Sequence, residues 1–267
     1  MILANYHTHT TFCDGKSTPQ EIVEKAIENK MSVIGFSGHG YTGFDKTYCM
    51  TDTDGYVKEV LRLKKLYSDR IDILLGVESD AHDPIERGIF DYVIGSSHYV
   101  EKDGSYYPVD SSPEHFDRCM ELFGGDAVLF AESYYSHFCE YVKKYNPDIV
   151  GHFDLVTKFD EDGRYGFLNN PRYHSVSEYY FDKILDTGAL IELNTGAISR
   201  GYRTTPYPYV NLLRLLKRRG GRLILNSDSH HKDTLIFGFD KAAELLREVG
   251  IHKLYALTSS GLSEYEL

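Results

Sequence analysis

The chain is poor in cysteine and in basic charge, and it has no long apolar run. Its four cysteines, Cys13, Cys49, Cys119 and Cys139, show neither CxxC spacing nor the density of a disulfide scaffold. A thiolate metal knuckle and a disulfide-stapled module are therefore excluded. Lys and Arg number 29 against 40 Asp and Glu, for a formal net charge of −11. A nucleic-acid backbone is not expected as partner, because binding one draws on basic patches. No apolar stretch approaches the roughly 20 residues that cross a bilayer, so no membrane contact is expected. The first residues run straight into a strand and a His pair with no leader-like segment, and the expected location is cytoplasmic. Repeats, linkers and low-complexity tracts are missing too. Residues 1–267 are read as one domain, a length that suits a (β/α) barrel.

What is present is an alternation of short apolar runs with amphipathic stretches. Strands are expected at 2–6, 32–36, 71–77, 91–96, 148–151, 189–194 and 222–226. Helices are expected at 18–30, from Asp54 onward, as a pair across 112–145 broken at Gly124-Gly125, and at 174–187, 206–219 and 231–248. Residues 253–257 could add one more strand. This is an α/β pattern, and a (β/α)7 barrel, or an imperfect eight, is favoured over an open doubly wound sheet. The reason is that candidate ligands come from the first strand to the last, and only closure brings those ends together.

Six of the twelve histidines, with one Glu and two Asp, fall just past the ends of these runs. They are His7, His9, Asp14, His39, Glu78, His98, His152, Asp228 and His230. Side chains on a strand repeat every two residues, so His7-Thr8-His9 presents both imidazoles on one side. Asp228-Ser229-His230 repeats that spacing at the last strand. Imidazoles and carboxylates without thiolates suit borderline or hard divalent cations, and strand ends are where a barrel gathers side chains into one pocket. His82, His115, His137, His174 and His252 are read as ordinary surface or half-buried residues, and Cys13 as a small packed residue rather than a nucleophile.

Competing motifs fail on inspection. Asp14-Gly15-Lys16-Ser17 resembles the tail of a P-loop, but position 10 is Thr where a Gly is required. Asp52-Thr53-Asp54-Gly55 lacks the apolar strand an aspartyl-phosphate enzyme needs, and helix capping explains it better. None of the cysteines has an Arg six residues later. Two loops, 154–172 and 195–208, should rim the pocket, and they offer Arg164 and Arg200 as clamps for an anionic substrate, with Arg203 in reserve.

The order H-x-H, D, H, E, H, H, D-x-H resembles the polymerase-and-histidinol-phosphatase (PHP) superfamily over nearly the whole chain. The stretches His7–Gly15, Gly151-His152-Phe153-Asp154 and Asn194-Thr195-Gly196 look most like its histidinol-phosphate phosphatase branch. The resemblance implies a distorted (β/α)7 barrel with the metal site at the C-terminal ends of the strands. It further implies two to three divalent ions (Zn, Mn or Fe). His7, His9, Glu78 and Asp228 would hold one ion, with Glu78 bridging to a second on His98 and His152. Asp14, His39 and His230 would hold the third; some family members have His in place of Asp14.

Three divalent cations against three carboxylates leave a surplus that a phosphate-monoester dianion and one hydroxide balance. The implied reaction is hydrolysis of L-histidinol phosphate, a small-molecule monoester, by a metal-bridging hydroxide. Asp228 and His230 are the expected catalytic residues, with Asp228 a candidate proton acceptor. Acidic and aromatic groups should meet the ammonium and imidazole of this substrate, and Asp160, Glu161 and Asp162 are candidates. The alternatives are a PHP-type nucleotide phosphatase or phosphodiesterase, and a non-catalytic metal-binding barrel.

Overall fold

Short apolar runs become strands and stretches with one apolar face become helices, in strict alternation at first. The computed structural model describes residues 2–267. It begins with β1 (Ala4–Asn5), α1 (Pro19–Glu28), β2 (Val33–Phe36), α2 (Thr53–Leu66), β3 (Asp72–Asp80) and β4 (Tyr92–Ser96). A small hairpin, β5 (Tyr99–Lys102) and β6 (Ser105–Pro108), precedes α3 (Pro113–Leu122) and α4 (Ala127–Tyr145). Next come β7 (Ile149–Val150), α5 (Pro171–Leu185), β8 (Leu190–Asn194), the single turn α6 (Gly196–Ser199), α7 (Val210–Arg219) and β9 (Leu223–Asn226). The chain ends with α8 (Phe239–Val249) and a hairpin of β10 (Lys253–Thr258) and β11 (Gly261–Glu266).

Local chemistry sets these boundaries. Helix α1 starts on a capping box, in which Thr18 accepts from the Glu21 amide while the Glu21 side chain accepts from the Thr18 amide, and Pro19 fills the first turn. Its buried stripe of Ile22, Val23 and Ala26 packs with α2 over β2 and β3.

Seven strands form one parallel sheet in the order β1-β2-β3-β4-β7-β8-β9. Its two edges meet. Beyond β1 and β9, Thr8 bridges Ser229, with the His9 amide donating to the Ser229 carbonyl at 2.8 Å and the Ser229 amide to the His7 carbonyl at 3.0 Å. Below that bridge, side-chain amides take over from the ladder. The Tyr6 amide donates to Asn226 Oδ1 at 2.8 Å and the Ser227 amide to Asn5 Oδ1 at 3.1 Å. The result is a nearly closed (β/α)7 barrel.

The interior is packed. Tyr92 stands inside it, its single hydroxyl proton shared between the Tyr6 carbonyl at 2.5 Å and the Phe36 carbonyl at 3.0 Å. Gly35 and Gly76 make room for its ring, because a Cβ at either position would collide with it. The β10–β11 hairpin joins this cluster through Ala256 and Tyr265 and receives a hydrogen bond from Tyr6 Oη at the Leu257 carbonyl.

Several sequence expectations need correction. Residues 253–257 do form a strand, but it pairs antiparallel with β11 and not with the barrel, so the imperfect eight is excluded. The expected helix at 231–248 starts only at Phe239, after a 3-10 turn at Lys232–Thr234 and a left-handed Gly238. The one at 206–219 starts at Val210, because Tyr207 pairs back to Asn194 in an antiparallel bridge. Hairpin β5–β6 was not anticipated, although Asp103-Gly104, both left-handed, is a strong two-residue turn signal.

Candidate metal centre

The C-terminal ends of the barrel strands converge on Glu78, which sits near the end of β3 and is almost fully buried. Its two oxygens face different imidazoles. Oε2 lies 3.2 Å from His7 Nε2, 3.6 Å from His9 Nε2 and 2.9 Å from His39 Nδ1. Oε1 lies 3.1 Å from His152 Nε2 and 3.4 Å from His98 Nε2. Asp228 Oδ1 comes within 3.2 Å of His9 Nε2 and 3.8 Å of His7 Nε2. On the outer side Asp14 approaches His230 Nε2 at 3.2 Å and His9 and His39 at 3.7 Å each.

Donor atoms of His9, Asp14, His39 and His230 all lie within 4.8 Å of one another, as do those of His7, His9 and Glu78, of His7, His152 and Asp228, and of His39, Glu78 and His98. The sequence had not placed His9 with the outer group. These donors suit divalent cations on one further ground. His7 Nε2, His9 Nε2 and Glu78 Oε2 are buried without a hydrogen-bond partner, an arrangement that costs free energy unless another group satisfies it.

Electrostatics point the same way. Burial pushes the Glu78 carboxyl up, but His7, His39 and His98 outweigh it and hold the group well below the ordinary carboxylate range. Burial opposes Asp228 as well, and Arg200 and His7 overcome it in the same direction. Burial, with His230 and His39 alongside, pushes His9 down to about 3. Protons and metal ions compete for such nitrogens, so binding here should depend on pH.

Asp228 carries a second mark of a functional position, a left-handed backbone with φ of 46°. Arg200 pins it, with Nη2 donating to Oδ2 at 3.0 Å and Nη1 to the Asp228 carbonyl at 3.0 Å.

Above the cluster opens a cavity of about 550 Å³. Its wall carries two cations, Arg200 and Lys158, the second held by the Asp110 carbonyl at 2.7 Å and Asp110 Oδ2 at 3.2 Å. Carboxylates Asp45 and Asp110 and the rings of Tyr48, Tyr99 and Tyr202 complete it, and His115, read from sequence as ordinary, also lines it.

Two of the three sequence-nominated arginines are occupied elsewhere. Arg164 is exposed, ion-pairs with Asp117 at 2.9 Å and does not line the cavity. Arg203 is buried, donating to Thr157 and Thr205 and lying over the Tyr207 ring. None of the three acids of the 160–162 loop lines the cavity either, and Asp162 is exposed, accepting from the Arg164 amide. Asp160 accepts from the amides of residues 165 to 168, and Glu161 accepts from Thr204 and Thr205. Cys13 lies 3.6 Å from His9 Nδ1, and burial and Asp14 push its thiol up to about 12, the opposite of a nucleophile.

The sequence reading missed Lys158, Asp80 and Glu192. Asp80 Oδ2 accepts from His98 Nδ1 at 3.0 Å, and Glu192 lies 2.7 Å from His7 Nδ1. Both carried a signal. Asp80 follows Glu78 by two residues on one strand, and Glu192 is a lone acid within the apolar run Leu190-Ile191-Glu192-Leu193.

Residues 5–196 match the PHP domain family. Among curated proteins, a probable histidinol-phosphatase of Schizosaccharomyces pombe is 30% identical over 273 residues, covering 93% of this chain and 87% of its own. The histidinol-phosphatase of Bacillus subtilis is 24% identical, covering 89% of this chain and 97% of its own. A crystal structure of histidinol phosphate phosphatase from Lactococcus lactis, complexed with Zn, L-histidinol and phosphate, shares the fold. Its TM-score is 0.74 at 22% identity, covering 98% of this chain and 99% of that one.

Proposed function

The chain belongs to the PHP domain family, and on that premise we propose that it is a metal-dependent phosphomonoesterase converting L-histidinol phosphate to L-histidinol and phosphate. The observation that carries this reading is Glu78, whose two oxygens face separate imidazole sets, of which His39, His98 and His152 line a cavity that Lys158 and Arg200 also wall. His7, His9, Glu78 and Asp228 would hold one cation, His98 and His152 with Glu78 a second, and Asp14, His39 and His230 a third. Such ions supply Lewis acidity and a lowered water pKa near neutrality.

The chain's own groups do the rest. Lys158 and Arg200 offer N–H donors to a phosphate dianion; being held by Asp110 and Asp228, they are set in place before substrate arrives. His230, half-buried, and Asp228 both line the cavity and would lie next to the reacting group. The depressed proton affinity of Asp228 favours a charged ligand over a proton acceptor. Asp45, Asp110 and the three tyrosines would receive the substrate's ammonium and imidazole, a role the sequence had given to the 160–162 loop.

Phosphate release should be compared for L-histidinol phosphate, a nucleoside monophosphate and bis-p-nitrophenyl phosphate, using metal-reconstituted protein. Preference for the first by orders of magnitude in kcat/KM is expected. Preference for the nucleotide or the diester would move the chain to another PHP activity, and no turnover on any would favour the non-catalytic barrel.

A further inference from the structure

Glu192 sits fully buried on β8 and is surrounded by donors. Its Oε1 is 2.7 Å from His7 Nδ1 and 2.8 Å from Asn226 Nδ2. Its Oε2 is 2.7 Å from the His152 amide and 2.9 Å from Asn194 Nδ2. Neither asparagine can turn over. Asn226 Oδ1 already accepts from the Tyr6 amide at 2.8 Å, and Asn194 Oδ1 from the Gly196 amide at 2.8 Å. A backbone N–H has only one polarity, so each amide must present its NH2 to Glu192.

Three donors of fixed polarity thus face the carboxyl: the two NH2 groups and the His152 N–H. With both oxygens already accepting, the group is satisfied as an acceptor-only carboxylate, and the remaining contact requires His7 Nδ1 to donate. A neutral imidazole that donates from Nδ1 carries its lone pair on Nε2, the atom that faces Glu78 and Asp228.

We infer that Glu192 is a positioning residue that fixes the tautomer of His7, and that its own polarity is set by the backbone amides of Tyr6 and Gly196 through Asn226 and Asn194. The inference rests on the reading of this centre as a metal site. Its elements are local to the barrel. Glu192 and Asn194 lie two residues apart on one face of β8, and Asn194 stands in register with Asn226 on β9. The network therefore ties His7 and His152, from two further strands, to one carboxylate. A ligand held in this way binds with less reorganisation.

Two variants break the polarity without changing shape. In Glu192→Gln one oxygen becomes an NH2 that must face two donors whichever way it turns. Asn194→Asp leaves the bond from Gly196 but sets a second carboxylate oxygen against Glu192. Long-range ¹H–¹⁵N spectra of metal-free wild type should show the His7 proton on Nδ1. Competition with a chelator should show zinc affinity reduced about ten- to a hundredfold in either variant. An exposed control, Arg164→Ala, should leave it unchanged. A His7 Nδ1 without a proton in the wild type would overturn the inference, even if neither variant folds. So would wild-type zinc affinity in a folded variant, with the metal centre itself left standing. Failure of wild type to bind zinc at all would remove both.

Discussion

Glu78 and Arg200 show how much of the chemistry rests on single side chains. Glu78→Gln loses the charge that serves both imidazole sets, and the isolated protein should carry at least one metal equivalent fewer, which elemental analysis would report. Arg200→Ala should lower kcat/KM at least about tenfold, or about 1.4 kcal/mol, and Lys158→Ala by a similar factor. Arg164→Ala should change neither, since its pairing with Asp117 is exposed. The sequence pointed to the residues that cluster here because all but Asp14 sit at or just past the end of an apolar run. It did not show which cation would face the cavity. Arg164, Arg200 and Arg203 share the same loops and differ only in what their guanidinium groups meet, and Lys158 reaches the wall because Asp110, from the segment after β6, holds it there.

Among the elements, the turn α6 has the closest bearing on the site. Gly196 at its start lies against Asp228, and a Cβ there would stand 2.8 Å from the Asp228 Cβ and from Oδ2. Gly196→Ala must displace Asp228 from its left-handed conformation or from Arg200. The expected outcome is a loss of activity and of metal affinity with a melting temperature lowered by only a few degrees. Unchanged kinetics would show that Asp228 tolerates the shift. The strands and most helices were legible from apolar periodicity and caps such as Thr18-Pro19. The start of the helix at 231–248 was not, because a 3-10 turn at Lys232–Thr234 and the left-handed Gly238 come before the helix begins at Phe239.

At the scale of the whole molecule, closure makes the site. Asn5 and Asn226 complete the barrel with side-chain hydrogen bonds where the ladder between β1 and β9 fails, and this brings His7 and His9 to Asp228. Closure was inferred from the distribution of ligands along the chain; the means of closure had no pattern to betray it. The same barrel buries much of the chain's tyrosine. Burial pushes the hydroxyls of Tyr56, Tyr92, Tyr134, Tyr135 and Tyr173 well above their ordinary range. The folded state therefore keeps protons that the unfolded chain gives up near pH 10. Their contribution is fully present below about pH 10 and is lost above it, by up to about 1.4 kcal/mol per pH unit for each tyrosine. In an alkaline titration, part of the phenolate absorbance should appear only as the near-ultraviolet circular dichroism collapses. Smooth ionisation of all 22 tyrosines in an intact fold would contradict this burial. Among the described residues no helix is long and apolar enough to cross a membrane.

The most direct test of the central claim is to titrate zinc or manganese into chelator-stripped protein while recording bound metal and phosphate release from L-histidinol phosphate in the same samples. Two to three equivalents should bind, with turnover appearing as they fill and disappearing on renewed chelation. Turnover in the stripped protein, or full loading without turnover, would contradict the account.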